Sequence, residues 1–213
     1  STTNFIEDYD AIEAASDSVL YLETDDDDDD DDDDMRTGSG FIAFDNQTFI
    51  TNYHVVEGAI RIMAYDEDYN EYKVGKILAV DKDRDIAIIS LKAPTHLIPL
   101  ALAYKPTLKR GQPVAAIGYP KGLFNTFSTG NISAIVELEK KRIVQFTAPV
   151  SHGSSGGALF NNNGEVIGIT SSIVEDGQNI NFAVDIAHAI ELYRQYNPEY
   201  LAGSYTWIRG SFL

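Results

Sequence analysis

The densest chemical signal in the chain is the run His152-Gly153-Ser154-Ser155-Gly156-Gly157. A serine becomes a nucleophile when its hydroxyl stands on a sharp turn, beside a base and beside N–H groups that hold a developing oxyanion. Glycines on both sides of Ser155 permit such a backbone. The N–H groups of Gly153 and Ser155 would form the oxyanion hole, with Ser154 between them in the turn. Gly156 and Gly157 would let the chain pass close to a substrate before entering the next strand. Taken alone, a cluster of Ser and Gly is more often a flexible loop.

Two further residues weigh against the loop reading. His54 follows a strand-like stretch, Phe49 to Thr51; a histidine there is by itself more often structural. Asp85 stands before Ile86-Ala87-Ile88-Ile89. An Asp at a strand start is usually a turn or cap residue. An acid leading straight into such an apolar run can also be buried, and then needs a partner. An imidazolium formed during catalysis is such a partner. The chain order His, Asp, Ser is that of the chymotrypsin-type triad, and differs from the subtilisin and α/β-hydrolase orders. The chemistry expected is acyl transfer in two steps, with His54 as base, Asp85 as its orienting partner and Ser155 as nucleophile.

The elements that must position these residues are short. Apolar runs separated by Gly, Asn and Pro predict strands at Val19–Glu23, Phe41–Phe44, Phe49–Thr51, Ile60–Tyr65, Glu71–Ala79, Ile86–Leu91, Pro113–Ile117, Ser128–Val136, Arg142–Thr147, Ala158–Phe160, Val166–Ser172 and Ile180–Ala183. Gly38-Ser39-Gly40 reads as a turn. Residues 1–18 read as a short helix. Ile186, Ala189, Ile190 and Tyr193 fall on one face of a helix over Ile186–Tyr196, closed by Pro198. Many short strands with one long helix argue for an all-β barrel or sandwich rather than α/β. The proline-bearing stretch Thr95–Arg110 is a candidate link between two halves.

The 213 residues are ample for one double-barrel domain, and 44% are apolar. Net charge is −17, of which ten charges lie in the run Asp25–Asp34. An acidic surface repels phosphate backbones and anionic headgroups, so nucleic acid and membrane surfaces are not expected partners. The run itself reads as a solvated, self-repelling loop; calcium binding is disfavoured because it needs a defined turn and mixed oxygen ligands. There is no cysteine, no stretch of the roughly 20 apolar residues of a membrane span and no basic-then-apolar leader, and the chain opens with Ser.

The segments from Gly38 to Phe44, Phe49 to Ala59, Asp83 to Leu91, Ala115 to Pro120, Ser128 to Ile135 and Phe146 to Ser172 resemble, in order, the protease domain of HtrA/DegP-like serine proteases. The segment Asn181–Ile190 resembles that domain's last strand entering its C-terminal helix. The resemblance runs from about Ser18 to Tyr196. It implies an all-β fold of two six-stranded barrels with the site in the cleft between them. Residues 19–97 would form the first barrel, 108–184 the second and 185–197 the C-terminal helix, within one domain spanning 1–213. Residues 1–18 are an N-terminal segment and 198–213 a Tyr- and Trp-rich tail. It implies peptide-bond hydrolysis in protein substrates with no cofactor or metal, an extracytoplasmic setting, and trimerisation through the N-terminal segment. Phe5, Ile6 and Tyr9 could serve that contact or the core.

By the same resemblance, Pro149, Val150, Ser151 and His152 line one wall of the specificity pocket, and no acid lies there. The residue before the scissile bond is therefore expected to be small or medium and apolar. Ile169–Ser172, with Thr170, Ser171 and Ser172, resembles the strand that pairs with substrate backbone, Ser171 also lying near Asp85. Ser154 stands where the family usually carries Asn. His152, where the family often carries Pro, reads as a loop residue within reach of substrate. No peptide-capturing PDZ domain follows, so regulation by one within this chain is not expected. The competing reading is a chaperone-like or regulatory binding module whose protease site is latent or inactive.

Overall fold

A computed structural model describes residues 4–26, 35–120, 124–151 and 153–200, with backbone alone at 174, 175 and 179. The apolar runs pair as two closed antiparallel barrels. The first is built from β1 (Val19–Asp25), β2 (Arg36–Ile42), β3 (Thr48–Thr51), β4 (Arg61–Tyr65), β5 (Glu71–Asp81) and β6 (Ile86–Leu91), in the order β1-β2-β3-β6-β5-β4. The second is built from β7 (Pro113–Gly118), β8 (Thr126–Leu138), β9 (Lys141–Phe146), β10 (Ala158–Phe160), β11 (Val166–Glu175) and β12 (Gln178–Asp185), in the order β10-β11-β12-β9-β8-β7. The expected pair of six-stranded barrels is present.

Period-two alternation explains why several strands are apolar on both faces. In β1, Leu20 and Leu22 fill the first barrel while Val19 and Tyr21 face the layer between barrels. In β6, Ala87 and Ile89 point into the barrel and Ile86 and Ile88 point out of it. β7 and β10 do the same from the other side: Val114, Ala116 and Leu159 point inward, Ala115, Ile117, Ala158 and Phe160 outward. The outward residues form one shared core that fixes the barrels against each other. Each fully buried Leu, Ile or Phe in it stabilises the fold by about 1.5–3 kcal/mol. The residues before β6 and before β10 are thereby brought to the seam.

The connecting elements refine the sequence reading. The N-terminal helix is two pieces, a 3₁₀ turn at Phe5–Glu7 and α1 (Tyr9–Ser16). Asp8 divides them, because its side chain accepts the Ala11 N–H at 3.1 Å and caps α1. Phe5 is buried against Phe160, ring centroids 5.1 Å apart, so it serves this chain's own core, while Tyr9 is exposed. Gly38-Ser39-Gly40 is strand rather than turn, part of β2 and paired with Leu22-Tyr21-Leu20. The glycines answer close packing: a Cβ on Gly38 would lie 2.5 Å from Val55, and one on Gly40 3.0 Å from Phe49. The link near Thr95–Arg110 is anchored where Ala101 and Ala103 hydrogen-bond Val166 around fully buried Leu102.

α3 (Ile186–Tyr196) occupies its expected span, capped by Asp185, which accepts the Ala187 N–H at 2.9 Å. Its Tyr193 stacks on Phe44 at 3.8 Å, with Tyr200 edge-on to both rings. The rest of the tail, 201–213, lies outside the described residues, as do positions 27–34 of the aspartate run. Asp25 departs from the solvated-loop reading. It ends β1, is 5% exposed and binds Arg61 at 2.8 Å.

Candidate active site

Three loops reach the seam. After β3, buried Asn52 leads into the single turn α2 (Tyr53–Val56), which carries His54. Between β5 and β6, a tight turn places Asp85 with φ +59°, the left-handed region that Asp tolerates better than most side chains. Backbone bonds knit the two together: Tyr53 N–H and the Asn52 side-chain amide both donate to the Asp85 carbonyl, at 3.1 and 3.0 Å. The Asp85 carboxylate then takes the His54 backbone N–H at 2.7 Å and its ring Nδ1 at 2.6 Å. A carboxylate facing Nδ1 selects the tautomer protonated there and leaves Nε2 as an acceptor. Arg36 supports α2 from behind by donating to the His54 carbonyl at 2.8 Å.

Ser155 sits in the connection between β9 and β10. Gly153 and Gly156 both have φ +93°, a conformation that favours glycine. Ser154 N–H donates to Ser151 O at 2.9 Å, Gly156 N–H to Thr170 O at 2.8 Å and Gly157 N–H to Ser154 O at 3.0 Å. The amides of Gly153 and Ser155 have no backbone partner among the described residues. These two are the donors the sequence suggested for an oxyanion, whereas the Ser154 amide is already engaged. Gly38 lies between the two barrels' contributions: a Cβ there would be 2.5 Å from Val55, next to His54, and 3.3 Å from the Ser155 carbonyl. No hydrogen bond joins the His54 ring to Ser155 among the described residues.

Beside the serine turn is a hollow of about 200 Å³. Pro149, Val150 and Ser151 form one wall, Ser154 and Thr170 the end nearest the nucleophile, and Ala116 to Gly118 the other side. No ionisable side chain lines it among the described residues. Ser128 fixes the wall by donating to Pro149 O at 2.7 Å. Ser171 and Ser172 are not part of its lining, and His152 lies outside the described residues. Thr170 spends its backbone on Gly156 and Gly157, so substrate pairing on that edge of β11 could begin only beyond it. Ser171 is buried and pairs with Phe182 of β12; both described hydrogen bonds of the Asp85 carboxylate go to His54, none to Ser171. A larger hollow, about 300 Å³ between Tyr104–Leu108 and Asn161–Glu165, has no histidine or serine in its walls.

Sequence reasoning missed the supporting residues Arg36, Ser39 and Asn52. The signal for Ser39 was present, a serine flanked by two glycines, but turn and strand readings of that pattern compete. Among the described residues, no group of three His, Cys, Asp or Glu side chains is placed to hold a metal ion. No helix among them is long and apolar enough to cross a membrane.

Residues 38–169 match the trypsin-like peptidase domain family. A putative serine protease, HhoB, from Synechocystis sp. is 36% identical over 161 residues, 72% of this chain and 38% of its own length. A probable periplasmic serine protease do/HhoA-like from Haemophilus influenzae is 36% identical over 168 residues, 74% of this chain and 36% of its own length. The chain thus spans little more than a third of these curated relatives. Among solved structures, the serine endoprotease from Yersinia pestis superposes with a TM-score of 0.75 at 26% identity, covering 88% of this chain and 65% of that one.

Proposed function

The chain belongs to the trypsin-like peptidase family, among HtrA/DegP-like relatives, and from that premise we propose that it is a serine endopeptidase acting through His54, Asp85 and Ser155. The observation that carries the reading is the double hold of the Asp85 carboxylate on His54, beside a serine turn whose two candidate oxyanion amides have no backbone partner among the described residues.

In the proposed cycle, His54 Nε2 takes the Ser155 proton as Oγ attacks the scissile carbonyl. Asp85 stabilises the imidazolium so formed. The amides of Gly153 and Ser155 receive the tetrahedral oxyanion. His54 then protonates the leaving amine, giving an acyl-enzyme, and a water repeats the sequence to release the acid. The His54–Ser155 hydrogen bond would form in the reacting complex, where catalytic hydrogen bonds commonly tighten. The 200 Å³ hollow would seat a small or medium apolar side chain before the scissile bond.

Substrates are proposed to be proteins or peptides. The periplasmic naming of the Haemophilus influenzae relative supports an extracytoplasmic setting. Assembly into trimers through the N-terminal segment would have to use Tyr9 and the partly buried Ile6, because Phe5 is spent internally. A second reading, a latent or binding-only site, draws on the absence, among the described residues, of a hydrogen bond from the His54 ring to Ser155. Hydrolysis of an unfolded protein substrate separates the two: the wild type cleaves it and Ser155→Ala does not. Equal turnover by both would remove Ser155 from the chemistry, and no turnover by a folded wild type would favour the latent reading.

A further inference from the structure

Two buried hydroxyls, one from each barrel, hold the peptide planes of the serine turn, and neither belongs to the triad. Ser39 on β2 is 0% exposed and Thr170 on β11 is 1% exposed. Every polar group of Ser39 is engaged. Its N–H donates to Ser155 O at 2.8 Å, its carbonyl accepts the Thr51 hydroxyl at 2.7 Å, and its Oγ accepts the Tyr119 N–H at 2.9 Å. With its acceptor side turned to Tyr119, the hydroxyl directs its one proton to Gly153 O, at 3.2 Å. Thr170 Oγ1 donates to Ser154 O at 3.1 Å.

These bonds fall on three successive peptide groups. In a planar trans peptide, C=O and N–H point in opposite directions, so anchoring one aims the other. The 153–154 group is held at Gly153 O by Ser39 Oγ and at Ser154 N–H by Ser151 O. The 155–156 group is held at Ser155 O by Ser39 N–H and at Gly156 N–H by Thr170 O. The group between them is held, among the described residues, at its carbonyl alone, Ser154 O, by Thr170 Oγ1 and Gly157 N–H. Its other end, the Ser155 N–H, must therefore point away from Thr170 and out of the turn.

The geometry points to Ser39 and Thr170 as positioning residues that aim the Ser155 oxyanion donor, a role that rests on the endopeptidase reading above. Thr170 fixes the carbonyl behind Ser155 N–H, and Ser39 pins the flanking peptide groups at Gly153 O and Ser155 O, so that the plane between them cannot swing. Because the two hydroxyls come from opposite barrels, the donor is aligned only while β2 and β11 stay in register across the seam. Gly156 makes the approach possible, since a Cβ there would lie 2.0 Å from Ser39 O.

The test compares kcat and KM on a peptide the wild type cleaves with binding of a peptidyl boronate of the same sequence, whose tetrahedral adduct needs the oxyanion donors, and of the product peptide acid, which does not form that adduct. Ser39→Ala and Thr170→Val are each expected to lower kcat on the order of tenfold to hundredfold, less than outright removal of a donor. KM should stay within about twofold, and the boronate should weaken by the same factor as kcat while the product peptide does not. Thr170→Ser, which keeps the hydroxyl, should restore kcat. Folded variants with near-wild-type kcat, or boronate and product weakened alike, would overturn the role. If Ser39→Ala fails to fold, the Thr170→Val and Thr170→Ser pair decides it. A wild type that neither cleaves peptides nor takes the boronate would overturn the endopeptidase reading and this role with it.

Discussion

The Asp85 carboxylate grips His54 at two points, backbone N–H at 2.7 Å and ring Nδ1 at 2.6 Å, while its own backbone is held in the left-handed region at φ +59°. The paired hold fixes both where the imidazole stands and which nitrogen is protonated. Asp85→Asn keeps the size of the side chain but can present an N–H to Nδ1, favouring the wrong tautomer. Turnover should fall on the order of 10⁴-fold, the loss seen for this change in a triad of the same type. The melting temperature should move by only a few degrees. Loss of a few fold in kcat/KM would show that His54 does not depend on Asp85.

Gly156 tests how tightly the barrels meet at the nucleophile. A methyl group there would lie 2.0 Å from Ser39 O and 2.4 Å from Thr51 Oγ1, on a backbone with φ +93°. Strain and overpacking each cost about 1–3 kcal/mol. Gly156→Ala should therefore lower the urea midpoint clearly and abolish turnover, whereas Gly58→Ala, at φ +70° with nothing within 4 Å, should bear the backbone cost alone. Equal midpoints for the two variants would contradict the close approach.

The hollow beside Ser155 makes a specificity prediction. Its walls include Ala116, Ile117, Pro149 and Val150 with several hydroxyls, and among the described residues no carboxylate lines it to pair with an ammonium or guanidinium. Burying an unpaired charge there is costly. Profiling of a peptide library should favour small or medium apolar residues before the cleaved bond over Lys or Arg by at least about tenfold. A preference for Lys or Arg would assign the pocket elsewhere.

Asp66 gives a prediction in acid. Burial pushes its carboxyl up, but bonds from the Asn70 side chain and backbone, the Tyr72 hydroxyl and the Asp68 N–H outweigh that and hold it below its ordinary value of 3.8. A carboxyl depressed in the folded state stabilises the fold above its unfolded value and loses that contribution as pH falls through the folded value. The stability gap between wild type and Asp66→Asn should be constant from neutrality to about pH 5 and shrink below it. A gap that widens on acidification would show the opposite shift.

Much of this was legible because two periods of burial coincide. β6 reads as a solid apolar run, Ile86 to Leu91, since alternate residues fill the barrel and the seam, and its bounds were readable to the residue. The ends of β8, β11 and β12 were not, because residues there, exposed Leu138 and Ile173 among them, extend the strands through backbone pairing rather than burial. The Gly38-Ser39-Gly40 stretch failed as a turn for a similar reason. Glycine signals a bend and a close approach alike, and only the position of Val55, Phe49 and Ser155 decides between them. The pairing of Asp85 with His54 could be inferred from chain order, although Asp85 is only partly buried rather than buried as expected; the support from Ser39 and Thr170 depends on two barrels meeting, which the glycines flanking Ser39 do not encode.

The most direct test of the account is intact-mass analysis after treatment with a fluorophosphonate, with wild type and Ser155→Ala in parallel. The account predicts one adduct on the wild type, mapped to Ser155, and none on the variant. A folded wild type that takes no adduct, or a variant that labels equally, would contradict an activated Ser155.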